Sequence, residues 1–185
     1  MAQSPLDADV PAIDTIVALH ADVARATRHL EMLHAERLHC RQGCTSCCVD
    51  DLTVFEVEAA HIREHHAGLL ASGAPHPEGA CAFLDGEGAC RIYEERPYVC
   101  RTQGLPLRWI EERNGLEEEL RDICPLNDAG EPIEEIRGED CWTLGPTEER
   151  LARLELAERV GTSRSRLRDL FTASRSPASP EARTA

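Results

Sequence analysis

Nine cysteines in a chain of 185 residues constrain what it can fold into more than any other feature. They are Cys40, Cys44, Cys47, Cys48, Cys81, Cys90, Cys100, Cys124 and Cys141. An odd count suits a disulfide framework poorly. The N-terminal segment, MAQSPLDADVPAIDT, is acidic and lacks the basic start and apolar stretch of a secretory signal. No run of about 18 apolar residues occurs, so no helix is expected to span a bilayer. The chain is therefore expected to stay in the cytoplasm. There thiols remain reduced, and a dense cysteine set serves metal binding or catalysis rather than cross-linking.

The spacing of the cysteines points to metal. Cys44-x2-Cys47 lets one turn of backbone aim two thiolates at one ion, and Gly43 permits the tight path this needs. Cys40 adds a third candidate ligand before them. Cys48 adjoins Cys47, and adjacent cysteines fit a single tetrahedral ion badly, so the pair hints at a cluster or two nearby sites. Cys81, Cys90 and Cys100 follow, and Cys124 stands directly before Pro125. Soft thiolates in sets of four select zinc or iron–sulfur clusters. Nine cysteines exceed one four-ligand site, so either two sites exist or one cysteine is kept for reaction. Cys141, alone beside Trp142, is expected to be a small buried hydrophobe.

CRQGCTSCC, followed by CAFLDGEGACRIYEERPYVCRTQGLPL, resembles the CxxCxxCC family, the YkgJ-type cysteine cluster proteins, thought of as zinc- or iron-chelating; flagellin lysine N-methylases are distant relatives. The family pattern runs C-x-F-L and then G-x-C-x-I-Y-x-x-R-P-x-x-C-R. Cys81, Phe83, Leu84, Gly88, Cys90, Ile92, Tyr93, Arg96, Pro97, Cys100 and Arg101 stand in those places. The likeness covers roughly residues 40 to 125. It implies that Cys44, Cys47, Cys48, Cys81, Cys90, Cys100 and Cys124 are metal ligands. Three residues rather than two separate Cys40 from Cys44, a departure from the pattern. The methylase relatives imply that protein modification is within reach of the family. Beside the third block, Arg96 and Arg101 are expected to balance thiolate charge or hold an anionic substrate, or else to pair with Glu94, Glu95 or the EEEL run. Tyr93 and Tyr98 are expected to pack against the cluster.

The fold expected around these cysteines is a small α+β domain. Short β-hairpins are stapled by metal and covered by an N-terminal amphipathic helix and C-terminal helices. Residues 1–39 read as the N-terminal part, with a helix over 12–39 that packs on the core. On it His20, Thr27 and His34 recur every seventh residue, as a partner- or metal-facing row or as a polar margin. Residues 40–145 form the cysteine-cluster domain, 146–171 the C-terminal helices, and 172–185 a tail with the composition of disorder. Within the domain, 54–70 reads as helix, CAFLDGEGACRIY as a hairpin around DGEG, and residues 94–101 as a turn or short helix. A second hairpin is expected around Asn114–Gly115, although the acidic run after it is equally compatible with helix. Six of the seven aromatic residues lie between positions 55 and 142, so the tightly packed part is expected there.

Other sites are weaker candidates. His61 and His65 stand four apart on an expected helix, and His39 adjoins the first cysteine block; exposure is the commoner fate of such histidines. No serine triad, phosphate loop, zinc-protease pattern or dinucleotide fingerprint is present. LELAERVGTSRSRLRDLF resembles a helix-turn-helix whose second helix carries Arg164, Arg166 and Arg168. A formal charge of −14 argues against nucleic acid and anionic membranes as partners. The leading expectation is a metal-binding protein that holds zinc or iron, with an iron–sulfur cluster among the choices and a protein partner conceivable through the N-terminal helix. Its rivals are an iron or iron–sulfur enzyme of protein modification or redox chemistry, and a metal-responsive DNA-binding regulator.

Overall fold

The computed structural model describes residues 15–41, 43–160 and 163–173, without the side chains of the last two. Helix α1 spans Ile16–Leu33. Thr15 starts it, its hydroxyl accepting the Ala18 N–H at 3.1 Å. The helix is shorter than the stretch expected over 12–39, because the chain turns after Leu33 with the His34 N–H on the Leu30 carbonyl. Ile16, Leu19, His20, Val23, Thr27 and Leu30 form its buried stripe. His20 and Thr27 thus face inward rather than forming a polar margin, and His34 Nε2 donates to the Asp140 carbonyl at 2.7 Å.

The helix expected over 54–70 is divided. A two-residue strand β1, Thr53–Val54, leads into α2, Glu56–His65. His66 breaks the helix and α3 follows as Ala67–Ser72. The hairpin expected around DGEG is reduced to one antiparallel bridge, Leu84 with Cys90. Around it the Asp85 N–H bonds the Ala89 carbonyl and the Arg91 N–H the Phe83 carbonyl, both at 2.9 Å, while the Asp85 carboxylate folds the turn by accepting the N–H groups of Glu87 and Ala89. Helix α4 is short, Tyr98–Thr102. The second hairpin forms as expected. Strands β2 (Leu107–Arg113) and β3 (Leu116–Asp122) pair antiparallel across Asn114–Gly115, whose φ values of 55° and 77° suit a two-residue primed turn. The acidic run is therefore strand and not helix. Strand β4, Trp142–Thr143, adds to β2 in parallel.

Helix α5 spans Pro146–Glu158, with proline in the first turn and the Glu148 carboxylate on the Gly145 N–H at 2.7 Å. Beyond it the expected recognition helix does not form. Ser165–Arg166 is strand β5, antiparallel to β1, and helix begins only at α6, Asp169–Ala173. Residues 161 and 162, the proposed turn, lie outside the described residues, as does the tail from 174. The reason is burial. Leu167, Leu170 and Phe171 fill the core, Arg164 lies 3.6 Å over the Phe55 ring, and Arg168 bonds inward to Asp50 and to the carbonyls of His76, Pro77 and Ala80.

Two apolar clusters organise these elements into a mixed α+β fold. One joins α1 and α5 to Phe55, Val57, Tyr98, Leu105 and Trp142. The other joins β1, α2 and α3 to Phe83, Ile92 and α6. Packing therefore extends past the aromatic-rich middle: Phe171 is 1% exposed and stacks near Phe83, while Tyr93 is 58% exposed.

Candidate metal centre

The first cysteine block is a pair of turns, with the Cys44 N–H on the Arg41 carbonyl and the Cys48 N–H on the Thr45 carbonyl, both at 2.9 Å. It is joined directly to the second block, since the Cys81 N–H donates to the Cys48 carbonyl at 2.8 Å. The Leu84–Cys90 bridge then brings Cys90 back beside Cys81. Cys100 enters from α4, its N–H on the Pro97 carbonyl at 2.9 Å. Arg168 locks the frame from outside: it pairs with Asp50, just past the first block, and donates to the loop that precedes Cys81.

Five thiols share this neighbourhood. A hydrogen bond from Cys48 holds the Cys47 thiol down to about 6, aided by the nearby Arg96 charge, while the same contact, with burial, pushes Cys48 up. Cys48 also senses Cys81 and Cys100. Burial raises Cys81, with Cys90 adding to it, and burial raises Cys90. Cys100 is pushed up by burial first, then by Cys81, Cys90, Glu58 and Cys47. Such mutual opposition is what a set of thiols shows when several cannot ionise together without a cation.

The two arginines divide their tasks. Arg96 stacks 3.9 Å over the Tyr93 ring, and its charge favours the thiolates of Cys47 and Cys90. Among the described residues its buried Nε has no hydrogen-bond partner. Arg101 instead ties backbone, donating to the Arg96 carbonyl at 2.8 Å and the Glu94 carbonyl at 2.5 Å. Tyr98 is buried in the first apolar cluster, where its hydroxyl accepts the Trp142 indole N–H at 2.9 Å.

Cys40 and Cys124 occupy a different setting. Asn127 is fully buried and is its hub. Its amide oxygen accepts the His39 N–H at 2.9 Å, and its amide nitrogen donates to the Gly104 carbonyl at 2.8 Å and lies 3.4 Å from the Cys40 sulfur. Its own N–H returns to the Cys124 carbonyl at 2.7 Å. Gly104 has φ +91°, a conformation that disfavours other residues, and a Cβ there would meet the Cys40 sulfur at 2.5 Å. Cys141 is 5% exposed. Burial raises its thiol, and the charges around it are Arg121, Arg108, Glu119 and Asp140 rather than other cysteines.

A histidine cluster lies on the α1–α2 seam. The His61 and His65 rings are 4.1 Å apart, and His20 stands edge-on to His61 at 5.9 Å. Burial, then His65 and His20, lowers His61 below its ordinary value. With Glu94, Glu95 and Arg101 these rings line a cavity of about 360 Å³. His39 takes part through its backbone while its side chain is exposed.

Glu58 and Asn127 shape this region without standing out in the sequence, and Arg168, expected on a recognition helix, shapes it in a different role. For Glu58 a signal was available, since it stands three residues after the helix-starting Phe55, where a carboxylate reaches back to the N–H.

Residues 39–125 match the family model CxxCxxCC, described as a putative zinc- or iron-chelating domain. The chain is thus similar to that family over just under half of its length. No curated protein and no solved structure matches it. The match runs from His39, at the Asn127 hub, to Pro125, just past Cys124. The donor chemistry of this stretch fits the metals of that description, soft thiols carried into one neighbourhood by three separate segments. Among the described residues no group of three His, Cys, Asp or Glu side chains is arranged to hold an ion as it stands, so the fit rests on donor type and neighbourhood. Among the described residues, too, no helix is long and apolar enough to cross a membrane.

Proposed function

We propose that the protein chelates zinc or iron through the thiolates of Cys44, Cys47, Cys48, Cys81, Cys90, Cys100 and Cys124, with Cys40 at the margin. The observation that carries this is the shared neighbourhood of Cys47, Cys48, Cys81, Cys90 and Cys100, tied by the bond from Cys81 N–H to the Cys48 carbonyl. When bound, zinc supplies folding energy and iron adds electron transfer. Arg96 balances the thiolate charge, and Arg101 keeps the Arg96 loop in place. The surplus of thiols and the Cys124-Pro125 pair favour an iron–sulfur cluster over a single zinc ion. Such a site needs a compartment that keeps thiols reduced, for which the cytoplasm is the natural one.

One observation favours a second reading, an enzyme of redox or protein-modification chemistry. The cavity bounded by His20, His61, His65, Glu94, Glu95 and Arg101 lies against α4, which carries Cys100. A protein partner finds support in the apolar side chains exposed on α1, Val17, Met32 and Leu33. The regulator reading loses its support, because Ser165–Arg166 pairs as a strand with Thr53–Val54 instead of opening a recognition helix, and Arg168 is engaged with Asp50 and the loop before Cys81.

The test is metal analysis with an absorption spectrum on protein purified without oxygen. Iron with a broad thiolate-to-iron band supports the redox or enzymatic form, and a colourless protein with zinc supports a structural or carried ion. Folded protein with neither metal removes the reading.

A further inference from the structure

Glu58 is 2% exposed and lies where three elements meet. Its Oε1 accepts the Tyr98 N–H at 2.6 Å and faces His20 Nε2 at 3.3 Å. Its Oε2 accepts the Phe55 N–H at 3.3 Å. A buried carboxylate is costly unless it is bonded, so each of these contacts is needed to keep it there. The three partners belong to different parts of the metal-binding neighbourhood. Phe55 follows the strand that leaves the first cysteine block, His20 belongs to α1, and Tyr98 opens α4, two residues before Cys100.

Helix α4 has five residues, too few to hold its own direction. What fixes its start therefore fixes where Cys100 points. The Glu58 charge also reaches this helix, acting on Tyr98, Cys100 and Arg101.

We infer that Glu58 is a positioning residue for the metal centre: its buried carboxylate sets the place of Cys100 by holding the start of α4 against α1 and the segment leaving the first cysteine block. This rests on the chelation proposed above. No hydrogen bond joins Glu58 to a thiol in the structure, so its action runs through backbone and helix position.

Glu58→Gln tests it, because the side chain keeps its size while the amide NH2 must face one of two backbone N–H groups, that of Phe55 or that of Tyr98. The reduced full chain is titrated with cobalt(II) without oxygen, and the thiolate-to-cobalt and ligand-field bands are followed. Removing the carboxylate charge alone eases ionisation of Cys100 and tightens cobalt binding. Loss of position does the reverse. The expected result is binding weakened about 10–100-fold, the range for outer partners of metal ligands, with shifted bands. Leu154→Ala, a core change on α5, is the control: it is expected to lower thermal stability and leave the cobalt spectrum of the folded protein unchanged. Should Glu58→Gln not fold, His20→Gln reads the same tie and is expected to weaken cobalt binding in the same direction by less. Unchanged affinity and bands in Glu58→Gln, or in His20→Gln where that variant stands in, overturn the inference while chelation survives. Wild-type protein that takes up no cobalt overturns chelation and this inference with it.

Discussion

The thiols of Cys47, Cys48, Cys81, Cys90 and Cys100 press on one another, whereas Cys40 and Cys124 are grouped around an amide. In the first neighbourhood the backbone is well fixed by the Cys81–Cys48 hydrogen bond, the Leu84–Cys90 bridge and Arg168, yet the side chains oppose each other's ionisation. In the second, Asn127 satisfies the backbone of His39, Gly104 and Cys124 with ordinary hydrogen bonds. The contrast separates two ways of using cysteine. One group opposes its own ionisation in the absence of a cation, and the other stands on a junction whose backbone is held by hydrogen bonds whether or not Cys124 also contributes a ligand.

The largest effect expected from this contrast is on metal content. Cys81→Ser and Cys90→Ser are each expected to strip the protein of metal and to lower its stability sharply, since metal binding is folding energy in such sites. Cys40→Ser is expected to retain most of its metal. Metal analysis of anaerobically purified variants checks this, and equal losses at Cys40 and Cys81 would erase the distinction between the two neighbourhoods.

The next effect is the mirror image. Asn127→Ala leaves the His39 N–H and the Gly104 carbonyl without partners, at a cost of about 1–3 kcal/mol for each buried group left unsatisfied. Denaturant unfolding should show that loss with metal content unchanged. Metal loss in step with stability would join the two regions into one site.

The smallest effect sets the histidine cluster apart from both. His61 is held below its ordinary value near ~6.5, chiefly by burial. The unfolded chain therefore takes a proton that the folded one refuses. Stability is fully present above the unfolded value and falls as pH drops through it towards the folded value. His61→Gln is expected to flatten that slope. Thermal unfolding between about pH 7 and 5 measures it, and metal content followed over the same range shows whether the thiolates share in the change.

Much of this architecture was legible locally. The Asn114–Gly115 turn, the Pro146 helix start and the two cysteine blocks are short-range patterns, and each formed near its expected place. What escaped was decided at long range. SRSRLRDLF has helical periodicity, but pairing with Thr53–Val54 and burial of Leu167 and Phe171 prevailed over it. The DGEG turn reads as a hairpin, and two cross-turn backbone bonds form, but the Asp85 carboxylate takes the Ala89 N–H and the pairing stops at one bridge. The thiol neighbourhood followed from cysteine spacing and family likeness together. The role of Asn127 did not, and for Glu58 only the reach back to Phe55 was readable, because a buried acid or amide shows its full role only once its partners from distant segments are in place.

Arg168 places the final step of assembly late in synthesis. Together with Leu167, Leu170 and Phe171 it closes the frame around Cys81 and the first block, yet it is made more than a hundred residues after Cys48. A nascent chain presents its cysteines long before the segment that locks them together has left the ribosome. The chelation proposed above would then be completed only after residues 167–171 are made, and capture of the early thiols before that closing segment arrives is the expected route of misassembly.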